Sequence, residues 1–208
     1  MDPTLVAGLR RFVRAPPSNR PPPAEDGGAR CELCPLSLAA DHKHLLDLEE
    51  RRIVCVCPTC WSMRSGEARY RPTGSRTLWL EGLELSDELW AEFQIPIGLA
   101  FFLHSTEAKR VVGLYPSPAG ATECELDLEA WARLVAVNPV LEDLDPDAEA
   151  LIVNRMATPH LHAIAPLDDC YRLVGIIKST WEGITGGAEM EAAVQRYFDD
   201  LRVAATVR

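Results

Sequence analysis

The sequence lacks a long hydrophobic run. Its longest apolar stretch, residues 95–103, is interrupted by Pro96 and Gly98, whereas a membrane-spanning helix needs about 20 apolar residues. The N-terminus also lacks the features of a secretory signal. We therefore expect a cytoplasmic protein with no transmembrane segment, in which the cysteines stay reduced.

The sequence also lacks the common motifs of enzyme active sites. It contains no Gly-x-Ser-x-Gly, no His-Glu-x-x-His, no phosphate-binding loop and no dinucleotide-binding fingerprint. Cys124 and Cys170 stand alone in apolar surroundings, which is typical of core residues. His160 and His162 are two residues apart on a predicted strand, so they should share a face and form a surface pair. These observations favour a non-catalytic protein.

Positive charge is scarce in the C-terminal two-thirds of the chain. Residues 77–208 carry 9 Lys+Arg against 22 Asp+Glu, a net charge of −13, and residues 1–76 have a net charge of +3, which together make −10. Nucleic acids bind chiefly through neutralisation of their phosphates by basic side chains. We therefore expect no nucleic acid as partner, and a protein with a basic face instead.

What the sequence does contain is a group of five cysteines within thirty positions. Cys31 and Cys34 form one Cys-x-x-Cys turn, and Cys57 and Cys60 form another, with 22 residues between the two turns. Two such turns can arrange four thiolates around one ion as a tetrahedron, and the spacing is close to the usual range for zinc. The sequence therefore predicts a metal site made of these four cysteines.

Three alternatives are open for the chemistry of this site. The first is a closed structural Zn2+ site, because four-thiolate sites in short cytosolic segments are mostly structural. The second is a single iron, as in rubredoxin-like one-electron carriers, since tetrahedral sulfur sites accept either metal. The third is a set of disulfides, which a reducing compartment disfavours.

Three further residues could take part in the site. The alternation in residues 52–57 predicts a strand with Cys55 and Cys57 on the same face. Cys55 could replace a ligand, lie beside the site or be a small buried residue. His42 and His44 lie between the two turns and could ligate or hydrogen-bond. We treat these three residues as reserve ligands.

Composition divides the chain into three parts. For residues 1–30 the sequence predicts a short amphipathic helix followed by a Pro-rich linker. The helix would dock on the body of the protein or on a partner. Residues 31–70 predict a metal-binding module with a hairpin between the two turns, as in zinc ribbons and treble clefs. A module of about forty residues needs the metal in order to fold. Residues 71–208 predict an α+β domain, an antiparallel sheet with helices on one face.

Local patterns place the elements of this domain. Residues 98–104 and 110–115 predict one hairpin, and residues 148–154 and 160–165 predict another. Ser86 should cap a short helix, residues 115–121 should form a stiff turn, and a helix should run over residues 128–137. Two long helical patterns close the chain.

The cysteine segment resembles the treble-clef nucleases of the HNH type over residues 31–63. Asp41-His42 and Cys57-Pro-Thr-Cys60 carry this resemblance, and Trp61 stands where those nucleases have a trailing polar residue. The resemblance implies His42 as the general base of an HNH-like nuclease.

The chain as a whole resembles a bacterial family of unknown function that is associated with operons of nickel–iron uptake hydrogenases. The resemblance covers residues 30–205, and its most specific part is the string Tyr-Pro-Ser-Pro-Ala-Gly-Ala-Thr at 115–122. Its other parts are Cys-Glu-Leu-Cys at 31–34, His-Leu-Leu-Asp-Leu at 44–48, Cys-Val-Cys-Pro-Thr-Cys at 55–60 and Ile-Pro-Ile-Gly-Leu-Ala-Phe-Phe at 95–102.

That resemblance implies an accessory, assembly or electron-transfer partner of a hydrogenase. Hydrogenase gene sets often include small four-cysteine iron proteins, which adds weight to iron. The gap between the turns is shorter than that of rubredoxin, and Trp61 replaces the usual glycine, which favours zinc. The leading hypothesis is a metal-binding accessory or assembly protein that acts through protein–protein contacts, with a hydrogenase subunit or maturation factor as partner.

Overall fold

The computed structural model describes residues 29–50, 52–183 and 186–207. The predicted N-terminal helix and the linker up to residue 28 lie outside the described residues. Within them, a three-stranded sheet is followed by a seven-stranded sheet. No helix among the described residues is long and apolar enough to cross a membrane.

The N-terminal module is built on the hairpin of β1 (Lys43–Asp47) and β2 (Arg52–Val56). Strand β3 (Tyr70–Pro72) pairs with the other edge of β1, which gives the order β2-β1-β3. Helix α1 (Pro58–Arg64) follows β2 directly. An order of cysteine turn, hairpin and helix corresponds to the treble-clef alternative, and the zinc ribbon stays a prediction.

The second sheet is mixed, with the strand order β10-β4-β9-β8-β5-β6-β7. Its pairs are antiparallel except for β10 with β4, which is parallel because the chain returns to the sheet edge after the last helix. The strands are β4 (Leu78–Trp79), β5 (Leu99–Ser105), β6 (Arg110–Ser117), β7 (Gly120–Cys124), β8 (Glu149–Asn154), β9 (Leu161–Pro166) and β10 (Thr206–Val207).

Helices cover both faces of this sheet, and the predicted α+β class is confirmed. The two long helices share one face. The shorter helices pack on the opposite face, which differs from the predicted arrangement, because β5 is apolar on both sides. Phe101 belongs to one core and the adjacent Phe102 to the other. The helices are α2 (Asp87–Glu92), α3 (Leu128–Val137), a 3-10 turn (Pro139–Asp143), α4 (Leu167–Thr180) and α5 (Gly187–Ala204).

Several local predictions are confirmed. Strands β5 and β6 form one hairpin and β8 and β9 the other. Helix α3 has the predicted bounds, and Asp127 caps it by accepting from the backbone N–H groups of Glu129 and Ala130. Ser86 Oγ accepts from the Leu89 N–H at 3.2 Å, as its position before α2 predicted.

The Tyr-Pro-Ser-Pro-Ala-Gly-Ala-Thr string is a tight hairpin and not a long stiff turn. Strand β6 continues through Ser117, and β7 begins at Gly120, so that Tyr115 pairs with Thr122. Gly120 has a φ of 123°, a conformation that glycine adopts without strain. Ser117 Oγ donates to the Gly120 carbonyl at 2.9 Å. The string at residues 115–122 therefore forms the hairpin between β6 and β7, and β7 is the strand at one edge of the sheet.

His162 is buried, so the predicted surface pair is wrong for this residue. Its side chain is only 9% exposed, whereas His160 is exposed. The reason is topological: His162 lies inside β9, opposite Val153 of β8, while His160 precedes the strand. Burial, with the charges of His160 and Arg155 as further causes, lowers the pKa of His162 to about 4.

We expect His162 to make the free energy of unfolding of the main domain fall as the pH is lowered. Between its usual pKa of 6.5 and about 4, the unfolded chain binds a proton that the folded chain excludes. The stability that the neutral, buried His162 contributes to the folded state is therefore fully present above pH 6.5 and is lost as the pH falls to 4. It amounts to at most about 3 kcal/mol. Free energies of unfolding at pH 7 and about pH 4.5 should differ less in His162→Gln than in the wild type. Equal pH dependence in His162→Gln and wild type would contradict this.

Candidate metal centre

The structure brings together the four cysteines of the two Cys-x-x-Cys turns: Cys31, Cys34, Cys57 and Cys60. Their sulfur atoms all lie within 4.8 Å of one another, and Cys34 Sγ is 3.7 Å from Cys57 Sγ. In a tetrahedral zinc–thiolate site with 2.3 Å bonds, the sulfurs are about 3.8 Å apart. All seven cysteines are free. The four sulfurs therefore fit one tetrahedral ion.

Helix α1 begins at the second turn for local reasons. Pro58 stands in its first turn, where the missing N–H has no cost. Cys57 is the N-cap residue, and its Sγ accepts from the Cys60 N–H at 3.4 Å. This backbone hydrogen bond is the main cause that lowers the pKa of Cys57 to about 7. A thiolate, the form that binds metals, is thus favoured at Cys57.

Cys60 shows the opposite shift. Burial raises its pKa to about 12, and the neighbouring thiols of Cys34, Cys57 and Cys31 add to the effect. Four thiols at this distance cannot all lose their protons unless a cation lies among them. A metal ion would supply the positive charge and release the protons on binding.

Glu32 holds the first turn against the hairpin. Its backbone N–H donates to the Cys55 carbonyl at 2.9 Å, and its carboxylate accepts from the Cys55 N–H at 2.8 Å. The other carboxylate oxygen pairs with Arg52 Nη1 at 2.9 Å. These contacts join residues that are 20 and 23 positions apart and place Cys31 and Cys34 opposite the start of α1.

The core of this module is small. Its fully enclosed residues include two of the cysteines, Cys31 and Cys57, each 1% exposed. The remaining buried members are Leu45, Val54, Val56 and Tyr70, with Trp61 packed at the edge. So few apolar side chains supply little of the free energy that ordering the module requires. All four candidate ligands come from the protein, and Cys34 and Cys60 are half-buried.

The three reserve ligands do not join the four cysteines. Cys55, His42 and His44 form a separate group, whose ligand atoms also lie within 4.8 Å of one another. The expectation that Cys55 and Cys57 share a face is wrong, because β2 ends at Val56 and Cys57 turns away as the N-cap of α1. The general-base role of His42 stays a prediction.

One contact at this second group could not have been found from sequence. His44 Nδ1 donates to Asp168 Oδ2 at 2.8 Å, and 124 residues separate the two. Asp168 lies in the first turn of α4, so the contact joins the module to the main domain. The Asp168 hydrogen bond, followed by the one to Cys55, raises the pKa of His44 to about 9.

A cleft of about 700 Å³ lies between the module and the main domain, next to this contact. It is lined on one side by His42, His44 and Trp61, and on the other by Asp168 and Glu149. The connecting segment lies against the start of β8, and its Gly74 N–H donates at 2.9 Å to the carbonyl of Ala148, the residue before that strand. A Cβ at residue 74 would come within 2.9 Å of that carbonyl oxygen, which explains the glycine.

Fold and site together define an α+β protein with a four-cysteine cluster that could hold a metal ion. The chain belongs to DUF5947, a family of unknown function, whose model matches residues 30–205. Comparison with curated proteins gives no match, and comparison with solved structures gives none either. The matched range contains the three-stranded sheet, six of the seven strands of the other sheet and all four cysteines.

Proposed function

We propose that this protein is a non-catalytic accessory or assembly factor that binds a metal ion and acts through protein–protein contacts. In this proposal Cys31, Cys34, Cys57 and Cys60 hold a structural Zn2+. The observation that carries it is the convergence of these four sulfurs, with 3.7 Å between Cys34 Sγ and Cys57 Sγ. All four ligands come from the protein, which leaves no position for a substrate.

The small size of the module supports a structural role for the metal. Ligation of Zn2+ contributes free energy to folding directly, because the site does not exist in the unfolded chain. The metal would fix α1 and the hairpin relative to each other and so shape a surface for a partner. The apolar core between them is too small for that task.

A rubredoxin-like one-electron carrier is the second candidate, with iron at the same four cysteines. Tetrahedral sulfur sites accept iron as well as zinc. The N–H of Cys60, which donates to Cys57 Sγ at 3.4 Å, is the kind of hydrogen bond to sulfur that tunes the potential of iron–thiolate sites.

The partner is proposed from charge and from the family resemblance. Residues 77–208 carry a net charge of −13, so a protein with a basic face is the complementary target and a nucleic acid is not. The resemblance to a family associated with hydrogenase operons points to a hydrogenase subunit or a maturation factor. The proposed location is the cytoplasm.

The metal and its role are tested by one preparation of the native protein. We expect anaerobic, chelator-free purification to give colourless protein that contains zinc, as measured by elemental analysis and absorption. Iron at the four cysteines would instead give a red protein that bleaches on reduction. The zinc-loaded protein should bind a purified hydrogenase subunit or maturation factor in a complex that salt weakens. A preparation containing neither zinc nor iron would contradict the proposal.

A further inference from the structure

The face of the β1–β2 hairpin opposite the module core carries a second set of metal-ligand side chains. His44 and Cys55 are direct cross-strand partners, so their side chains stand side by side. His42 lies two residues before His44, and the two rings are 4.7 Å apart. The ligand atoms of His42, His44 and Cys55 all lie within 4.8 Å of one another.

Both histidines have one ring nitrogen already engaged. His42 Nδ1 donates to the Ala39 carbonyl at 2.9 Å, and His44 Nδ1 donates to Asp168 Oδ2 at 2.8 Å. His42 Nε2 remains without a partner, while the hydrogen bond of His44 to Cys55 is one that a metal ion between these two side chains would replace. Metal-binding histidines characteristically donate their other N–H to a backbone carbonyl or a carboxylate, which sets the tautomer and aims the ring.

The polar atoms left over at this place are buried. His42 Nε2 is inaccessible to solvent and has no hydrogen-bond partner among the described residues, and the same holds for Asp168 Oδ1. A buried nitrogen lone pair without a partner is costly. A cation between the two histidines and Cys55 would satisfy His42 Nε2 directly.

The surroundings differ from those of the four-cysteine cluster. His42 and His44 also line the cleft of about 700 Å³ between the module and the main domain. Three protein ligands beside a cleft leave the fourth coordination position of a tetrahedral ion open. The four cysteines would instead fill all four positions with protein ligands. Two imidazoles and one thiolate form a donor set of intermediate softness, which suits zinc-class divalent ions.

We propose that His42, His44 and Cys55 bind a second divalent transition-metal ion of the zinc class, with its fourth position open to the cleft. Asp168 is a positioning residue that orients His44 from the main domain. The hydrogen bond between His44 and Asp168 links the metal site to α4, and the open position of the metal takes water or a small ligand from the cleft. The proposal does not depend on the function assigned to the four cysteines.

The test is the zinc stoichiometry of the full chain. Reduced protein is loaded with Zn2+ alone, desalted and analysed for zinc per chain. We expect two ions in the wild type and one in His42→Ala and in Cys55→Ser. His160→Ala is the matched control, since that histidine is exposed and lies outside both groups, and it should keep two. Asp168→Asn should lower the affinity for the second ion by about 10- to 100-fold.

Spectra of the Co2+ form separate this site from the other. The four-cysteine site offers four thiolates and the second site offers one, so Cys55→Ser should remove a weak sulfur charge-transfer band and leave the strong one. Thermal unfolding of Cys55→Ser, which is nearly isosteric, checks the fold. Two ions retained in both His42→Ala and Cys55→Ser would overturn the proposal, as would one ion in the wild type that Cys31→Ser removes. A single ion that only His42→Ala removes would support this site and refute the four-cysteine one.

Discussion

Replacing Cys57 with serine should release the ion held by the four cysteines and unfold the N-terminal module, while the main domain stays folded. Cys57 supplies one of the four sulfurs and also caps α1 through its Sγ. Structural zinc in small domains contributes roughly 10–16 kcal/mol. The remaining apolar core is far too small to replace that contribution. The main domain has two cores, one on each face of the seven-stranded sheet, and all their buried members except Leu46 of the module come from the main domain.

Two measurements check this expectation. Elemental analysis should show the loss of at least one ion per chain. Amide hydrogen exchange should accelerate at Leu45 and Val54, which pair in the hairpin, and stay slow at Leu151 in β8. A loss of about 3 kcal/mol in module stability would already accelerate exchange about 100-fold.

The matched control for this variant is Cys124→Ser. Cys124 is buried in β7 and its Sγ donates to the Gly113 carbonyl, so serine can keep the hydrogen bond. This variant should keep all its metal and the slow exchange at Leu45. Full metal content in Cys57→Ser would remove Cys57 from the ligand set.

Replacing Phe102 with alanine should have the converse effect and destabilise the main domain without loss of metal. Phe102 is fully buried in β5, and its ring lies 5.2 Å from that of Phe93 and 5.5 Å from that of Trp131. Truncation of such a phenylalanine costs about 3–5 kcal/mol, because the surrounding rings can only partly close the cavity.

The metal should be unaffected because of the side of the sheet on which Phe102 lies. Its ring packs towards α3, whereas Leu46 of the module packs into the core on the opposite face, with α4 and α5. Denaturant unfolding gives the change in free energy, and zinc analysis gives the stoichiometry. Val203→Ala, at a position that is 89% exposed in α5, should change stability by less than about 0.5 kcal/mol. A change below about 1 kcal/mol in Phe102→Ala, or a loss of zinc, would contradict the assignment.

Sequence patterns predicted those elements whose cause is local. Helix α3 follows from the local pattern over residues 128–137, and the two hairpins follow from their apolar strands. The convergence of the four cysteines follows in the same way, since a Cys-x-x-Cys turn already holds two sulfurs together. What sequence could not provide was the face on which α2 and α3 pack, because β5 is equally apolar on both sides.

The sequence by itself determined that this chain is α+β, that it is acidic in its main domain and that four cysteines would gather at one place. Those properties depend on neighbours along the chain and on composition. Only the tertiary structure showed that Cys55 lies beside His44 and not with the four-cysteine cluster. It also showed that His44 contacts Asp168, which is 124 residues away in sequence. The physical reason is that these contacts depend on where a strand ends and on how the module packs against the main domain. Neither property produces a periodic pattern in the sequence.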